Sequence, residues 1–125
     1  MQKLLLVGAG GFFGAIMRYA VSGWIYQFLK KPWFPYGTLG VNVIGCLLIG
    51  LLSGVAENHQ VFSPEVRLLV FIGFLGSFTT FSTFGYEMFS FARDGQMVAS
   101  LINLGLHIVL GLFAVWLGFI ASRVF

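Results

Sequence analysis

Gly73-Phe74-Leu75-Gly76-Ser77-Phe78-Thr79-Thr80-Phe81-Ser82-Thr83-Phe84 is the stretch on which the reading of this chain turns. Ser77, Thr79, Thr80, Ser82 and Thr83 place five hydroxyls within seven residues, inside an otherwise apolar segment. Gly73 and Gly76 precede them, and Phe78, Phe81 and Phe84 recur at helical i, i+3 spacing. A bilayer core has no water for freed backbone groups, so a loosened helix at that depth survives only inside protein or beside a wet cavity. A single Ser or Thr often bonds back to its own helix carbonyl. Five together read as the lining of a permeation or binding site; the alternative is a polar helix–helix contact.

The composition fixes the surroundings of that stretch. Of 125 residues, 58% are apolar and only 9% charged. Soluble domains carry about 25% charged residues, so this chain cannot cover a water-facing surface and reads as an integral membrane protein of one domain. The net charge of +3 comes mostly from segment ends, which suits lipid headgroups. No basic patch interleaved with aromatics lies outside the apolar runs, which sets nucleic-acid binding aside. The single cysteine, Cys46, has no internal disulfide partner and reads as a small buried hydrophobe.

A transmembrane helix needs about 20 predominantly apolar residues. Four segments qualify, at 4–29, 36–56, 67–91 and 97–122. Lys30-Lys31-Pro32, the acidic stretch 57–65 with Pro64, and Arg93-Asp94-Gly95 separate them. Lys3 before an apolar run resembles a signal peptide, but the run is too long for one and three more follow, so it reads as the first span. The expected architecture is all-α, with four helices joined by tight turns.

Individual residues carry the chemistry. Gly8, Gly10, Gly11 and Gly14 lack the strand context and the acidic residue of a dinucleotide-binding loop; Gly10 and Gly14, four apart, suit close helix packing. Arg18 lies well inside the first span, where a buried arginine costs on the order of 3 kcal/mol or more. It either snorkels toward Lys30 and Lys31 or faces a water-filled vestibule that attracts anions. Thr38 and Asn42 share a face at i, i+4 in the second span. A buried amide such as Asn42 must find a partner: an anion, or a neighbouring helix. Glu87, counted along the third span, falls near the membrane surface, with a solvated end or a pore mouth as its two readings. Asn103 and His107 lie at i, i+4 in the fourth span, where His107 reads as a packing histidine. His59 and His107 have no ligand spacing between them, and no nucleophile–base pair points to an enzyme.

Orientation follows the excess of Lys and Arg in cytoplasmic loops. Lys3, Arg67 and Arg123 fall on one side of a four-span chain; Lys30, Lys31 and Arg93 fall on the other, with Arg18 leaning the same way. That near-balance lets the chain insert either way up. The two forms could then pair as an antiparallel dimer, which also answers how four short helices enclose a pore.

Three motifs together carry a family resemblance. They are Gly10-Gly11-x-x-Gly14-x-x-x-Arg18-Tyr19, Gly37-Thr38-Leu39-x-x-Asn42-x-x-Gly45, and Gly73-x-x-Gly76-x-x-Thr79-Thr80-Phe81-Ser82-Thr83-Phe84 followed by Glu87. In these the chain resembles the Fluc-type (CrcB) fluoride channels, small four-span bacterial membrane proteins, along essentially its whole length. The resemblance implies a third helix broken near its middle, in an antiparallel, dual-topology homodimer in the bacterial inner membrane. It implies two parallel pores that pass fluoride out of the cytoplasm down its gradient. Phe81, Phe84 and Asn42 would line the ion path, with Ser82 and Thr83, and more weakly Thr38, as a polar track. The backbone carbonyls of Gly76 and Thr79 would hold a structural sodium ion at the dimer centre. The chain has Gly76-Ser77 where the family usually shows Gly-Gly, and Gly85 where it shows Ser, so the hydroxyl track is either shorter or completed by Asn103. The other reading, a small proton-coupled multidrug exporter, needs a titratable carboxylate deep in a helix, where the first span offers Arg18 instead.

Overall fold

The structure is a computed structural model that describes residues 1–30 and 33–125; Lys31, counted in the charge balance above, and Pro32 lie outside the described residues. Four helices are long and apolar enough to cross a membrane, and no strand occurs among the described residues. Helix α1 covers Gln2–Leu29, and α2 covers Tyr36–His59. Each ends on a left-handed residue, Lys30 at φ 51° and Gln60 at φ 49°, whose N–H returns to a carbonyl of the last turn. Such a cap satisfies an orphan carbonyl and turns the chain back.

The third span, Pro64–Arg93, is built from unlike pieces. Ser63 caps its first turn, α3 (Pro64–Arg67), accepting from the Val66 N–H at 3.3 Å, with Pro64 at the position that needs no donor. A π-helical stretch, Leu68–Leu75, comes next, and a short α4 (Gly76–Phe78) ends it. Thr79 and Thr80 are then extended, at φ −86°, ψ 160° and φ −148°, ψ 115°. Helix α5 (Phe81–Arg93) restarts with Thr80 as its N-cap, the Thr80 Oγ1 accepting from the Thr83 N–H at 3.2 Å. Gly95, at φ 77°, makes the turn into α6 (Met97–Ala121), which closes in a 3₁₀ turn at Ser122–Val124.

Packing depends on missing side chains. Helix α1 lies along the π-helical stretch and α2 lies along α6. A Cβ on Gly10 would collide with the Leu69 carbonyl and meet Phe74 N at 2.8 Å; one on Gly73 would meet Val7 O at 2.7 Å. At the other interface, Gly50 faces the Val115 carbonyl and Gly118 faces the Leu47 carbonyl at comparable closeness. Where lipid tails are as apolar as leucine, such backbone-to-backbone contact drives helix association. Phe34, buried, stacks on Phe91 at 6.3 Å and ties the segment just before α2 to the end of α5. At the opposite end Lys3 and Arg67 border one groove, so the N-terminus and the 57–66 loop share a side.

Because Gly118 sits against backbone that cannot yield, Gly118→Val is expected to destabilise the bundle by about 1–3 kcal/mol or prevent its assembly. Gly105 has open space where a Cβ would go. Gly105→Ala should therefore leave stability within about 1 kcal/mol, on the favourable side. Thermal unfolding of both variants in detergent checks the contrast.

Candidate functional site

The two extended residues expose a backbone problem that Asn42 solves. Its Oδ1 accepts from the Thr80 N–H at 2.8 Å, and its Nδ2 donates to the Thr80 carbonyl at 3.1 Å. One side chain on α2 thus completes both main-chain groups of the residue where the helix restarts. Of the two partners the sequence leaves open for this amide, an anion or a neighbouring helix, the structure shows the helix.

The same contacts fix a histidine tautomer. Thr80 N–H can only donate and Thr80 O only accept, so the Asn42 amide has one orientation, with its second N–H directed at His107 Nε2 at 3.1 Å. His107 Nδ1 lies 3.0 Å from the Asn103 carbonyl, which can only accept. The imidazole is therefore neutral here, with its proton on Nδ1 and its Nε2 lone pair turned to Asn42. By sequence alone His107 reads as a packing residue. The signal for more is its i, i+4 spacing from Asn103, matching that of Thr38 and Asn42 on the helix beside it.

These groups border an open-sided cleft of about 600 Å³, lined among others by Asn42, Gly76, Thr79, Phe81, Phe84 and His107. Three rings run along it. Phe81 and Phe84 lie 5.7 Å apart between centroids, and Phe84 lies 4.2 Å from the His107 ring. Phe84 is buried, whereas Phe81 is 83% exposed. Ser82 and Thr83 are exposed too; Thr80 Oγ1 donates to Thr83 Oγ1 at 3.0 Å. Thr79 turns its hydroxyl back to the Leu75 carbonyl at 2.9 Å. Cys46 lines the cleft half-buried.

One turn along α2, Thr38 is buried and its Oγ1 donates to Glu87 Oε1 at 2.5 Å. Glu87 is half-buried, and α5 continues six residues past it to Arg93. Its Oε2 is buried without a hydrogen-bond partner among the described residues, as are both amide atoms of Asn103, which is 0% exposed. Arg18 is half-buried on α1, and no residue of α1 lines the cleft. The structure therefore gathers Asn42, Phe81, Phe84, Thr79 and Gly76 at one place, sets Thr38 and Glu87 one turn away, and leaves Arg18 apart.

Gly76 and Thr79 suit a cation that prefers oxygen ligands. In an unbroken helix their carbonyls would accept from the N–H groups of Thr80 and Thr83. Those donors are engaged elsewhere, with Asn42 Oδ1 and Thr80 Oγ1. The break thus releases the same two carbonyls that the resemblance assigns to sodium.

Residues 5–119 match the family described as CrcB-like protein, Camphor Resistance (CrcB). The chain belongs to the CrcB family. This CrcB-family chain is 48% identical over 122 residues to the fluoride-specific ion channel FluC of Acidobacterium capsulatum, covering 98% of this chain and 97% of that one. It is 41% identical to the fluoride-specific ion channel FluC of Geotalea daltonii, with 98% of each chain covered. It is also 41% identical to fluoride-specific ion channel FluC 1 of Methanosarcina acetivorans, covering 98% of this chain and 92% of that one.

Asn42→Ala removes a donor and an acceptor from buried main chain at once, so it should cost about 2 kcal/mol or more of stability. Denaturant titration in detergent measures this. A loss under about 0.5 kcal/mol would show that the break holds itself open without the amide.

Proposed function

We propose that this CrcB-family chain is a passive fluoride channel, working as an antiparallel dual-topology homodimer with two pores and a structural sodium ion. The observation that carries the reading is the ladder of Phe81, Phe84 and His107 along a cleft whose other wall is the broken, hydroxyl-bearing backbone. Family membership and relatives named as fluoride-specific ion channels supply the ion.

Fluoride is small and strongly hydrated, so a path must replace water without trapping the ion. The edge of a phenyl ring is positive and carries no net charge. Phe81 and Phe84 offer such edges in sequence, one exposed and one buried, which suits a handover from water to protein. The hydroxyls of Ser82 and Thr83 lie exposed beside Phe81 and supply weak donors at the outer step. Thr38 has a lesser part, because its hydroxyl is committed to Glu87. Arg18, apart from the cleft, acts at most at long range in a vestibule.

Two observations favour a second copy. Gly76, Ser82 and Thr83 are exposed at membrane depth, where lipid cannot satisfy polar groups. The charges that would orient the chain are nearly balanced between its ends. A partner of opposite orientation would cover the break of each chain with the other. The carbonyls of Gly76 and Thr79 would hold the sodium ion between them, and its chemistry there is to neutralise oxygens that have no N–H. The exporter reading needs a carboxylate open to the transport path, whereas Glu87 does not line the cleft.

Purified protein in liposomes should release fluoride and retain chloride. Phe81→Ile and Phe84→Ile should each slow fluoride release at least tenfold, about 1.4 kcal/mol of barrier, while the dimer survives on size exclusion. Full flux in both variants, or equal chloride flux, would overturn the assignment. Reporters fused to the C-terminus should appear on both sides of the membrane, and thorough sodium removal should dissociate or inactivate the dimer.

A further inference from the structure

Asn42 has no free N–H for an ion. One of its two amide hydrogens goes to the Thr80 carbonyl and the other to His107 Nε2. The first partner is main chain held in the break. The second is a side chain whose bonding sense depends on one proton. Building on the fluoride reading above, we propose that His107 is an anion-contacting residue and a proton-controlled latch on Asn42. Neutral His107 holds the amide. Protonated His107 releases it and presents its own N–H to the halide.

The step is a single proton transfer from hydronium, delivered from the bath and leaving as water, to the Nε2 lone pair, with Nδ1–H still donating to the Asn103 carbonyl. Nε2–H would then face an Asn42 N–H across what is now a 3.1 Å contact. Two donors cannot share that bond, and an unpaired buried donor is costly. Both turn to the acceptor within reach, an anion in the cleft that Asn42 and His107 line together. Phe84, 4.2 Å away between centroids, offers a ring face to the imidazolium.

The ionisable neighbours are few among the described residues. From α2, Cys46 lines the same cleft. From α5, Glu87 stands beside Thr38, one turn from Asn42, with its Oε2 unpartnered. Helix α6 adds no other ionisable side chain to the cleft. Neither Cys46 nor Glu87 is hydrogen-bonded to the imidazole, whose nitrogens meet only Asn42 and the Asn103 carbonyl. Fluoride current should therefore rise as pH falls through the histidine range, between about pH 8 and 5.

Fluoride currents through the whole dimer in planar bilayers test this, because they read the ion and not uncharged hydrogen fluoride. Wild type should carry at least about threefold more current at the low end of that range than at the high end. His107→Gln, which keeps an amide of similar reach and cannot titrate, should give a flat profile. A flat wild-type profile, or a slope that persists in His107→Gln, overturns the latch. Absence of fluoride current at every pH would defeat the channel reading as well, so the two failures are distinguishable. If His107→Gln does not assemble, ¹⁵N spectra of the wild-type imidazole decide. Added sodium fluoride should move the His107 Nε2 resonance at low pH and leave it in place at high pH, with sodium chloride as control. A resonance unmoved by fluoride at low pH overturns the proposal.

Discussion

The fold rests on one requirement, that no peptide group at membrane depth be left without a partner. A run of hydroxyl-bearing residues loosens the third span, and at Thr79 and Thr80 the chain leaves helical geometry altogether. Asn42 makes this tolerable by acting as a detached peptide unit, with an acceptor for the Thr80 N–H and a donor for its carbonyl. Thr80 in turn caps α5 through its own hydroxyl. Everything downstream inherits its placement from those bonds. Helix α5 restarts at a position that puts Phe84 inside and Phe81 outside, and the carbonyls of Gly76 and Thr79 lose the donors a straight helix would have given them.

Asn42 can do this only because α2 is held in register. Helices α2 and α6 run side by side, with Asn42 level with His107, Gly111 against Cys46, and Gly50 against the Val115 carbonyl. A slip of one residue would rotate each glycine by about 100° and drive a side chain into backbone. Close packing at the glycines therefore positions the amide a few turns away. On the other flank, Gly10 and Gly73 let α1 brace the π-helical stretch. A π turn carries an extra residue and rotates the succeeding residues around the axis, which helps bring Thr80 to face Asn42 on α2.

Local pattern reveals most of this and misses the part that depends on facing elements. The apolar runs announce four helices because lipid imposes a minimum length. The hydroxyl cluster marks the third span as irregular, and Asn42 stands out as an amide among aliphatic residues. Its partners are illegible, since Thr80 and His107 are distant in sequence. Counting along the span gives no sign that Glu87 accepts from Thr38, because that partner comes from another helix. The π-helical stretch leaves no mark in Leu68–Leu75, whose side chains would serve equally in an α-helix. A lone histidine on an apolar helix, as His107 is, offers only its spacing from Asn103 until the residues on facing helices are known.

A single chain leaves the path half built. Phe84 is walled in by α5 and α6, but Phe81 is bare on the opposite side, together with two hydroxyl residues and a glycine at the break. In lipid, that surface would offer an ion no replacement for the water it sheds. A second wall is needed, and it must tolerate polar groups. The proposed inverted partner meets both conditions with its own copy of the same surface. Selectivity then arises at a seam between copies, where aromatic edges and weak donors are plentiful and fixed positive charge is scarce. The titratable imidazole of His107 is the exception in that seam, which makes it the natural place for protons to regulate the ion.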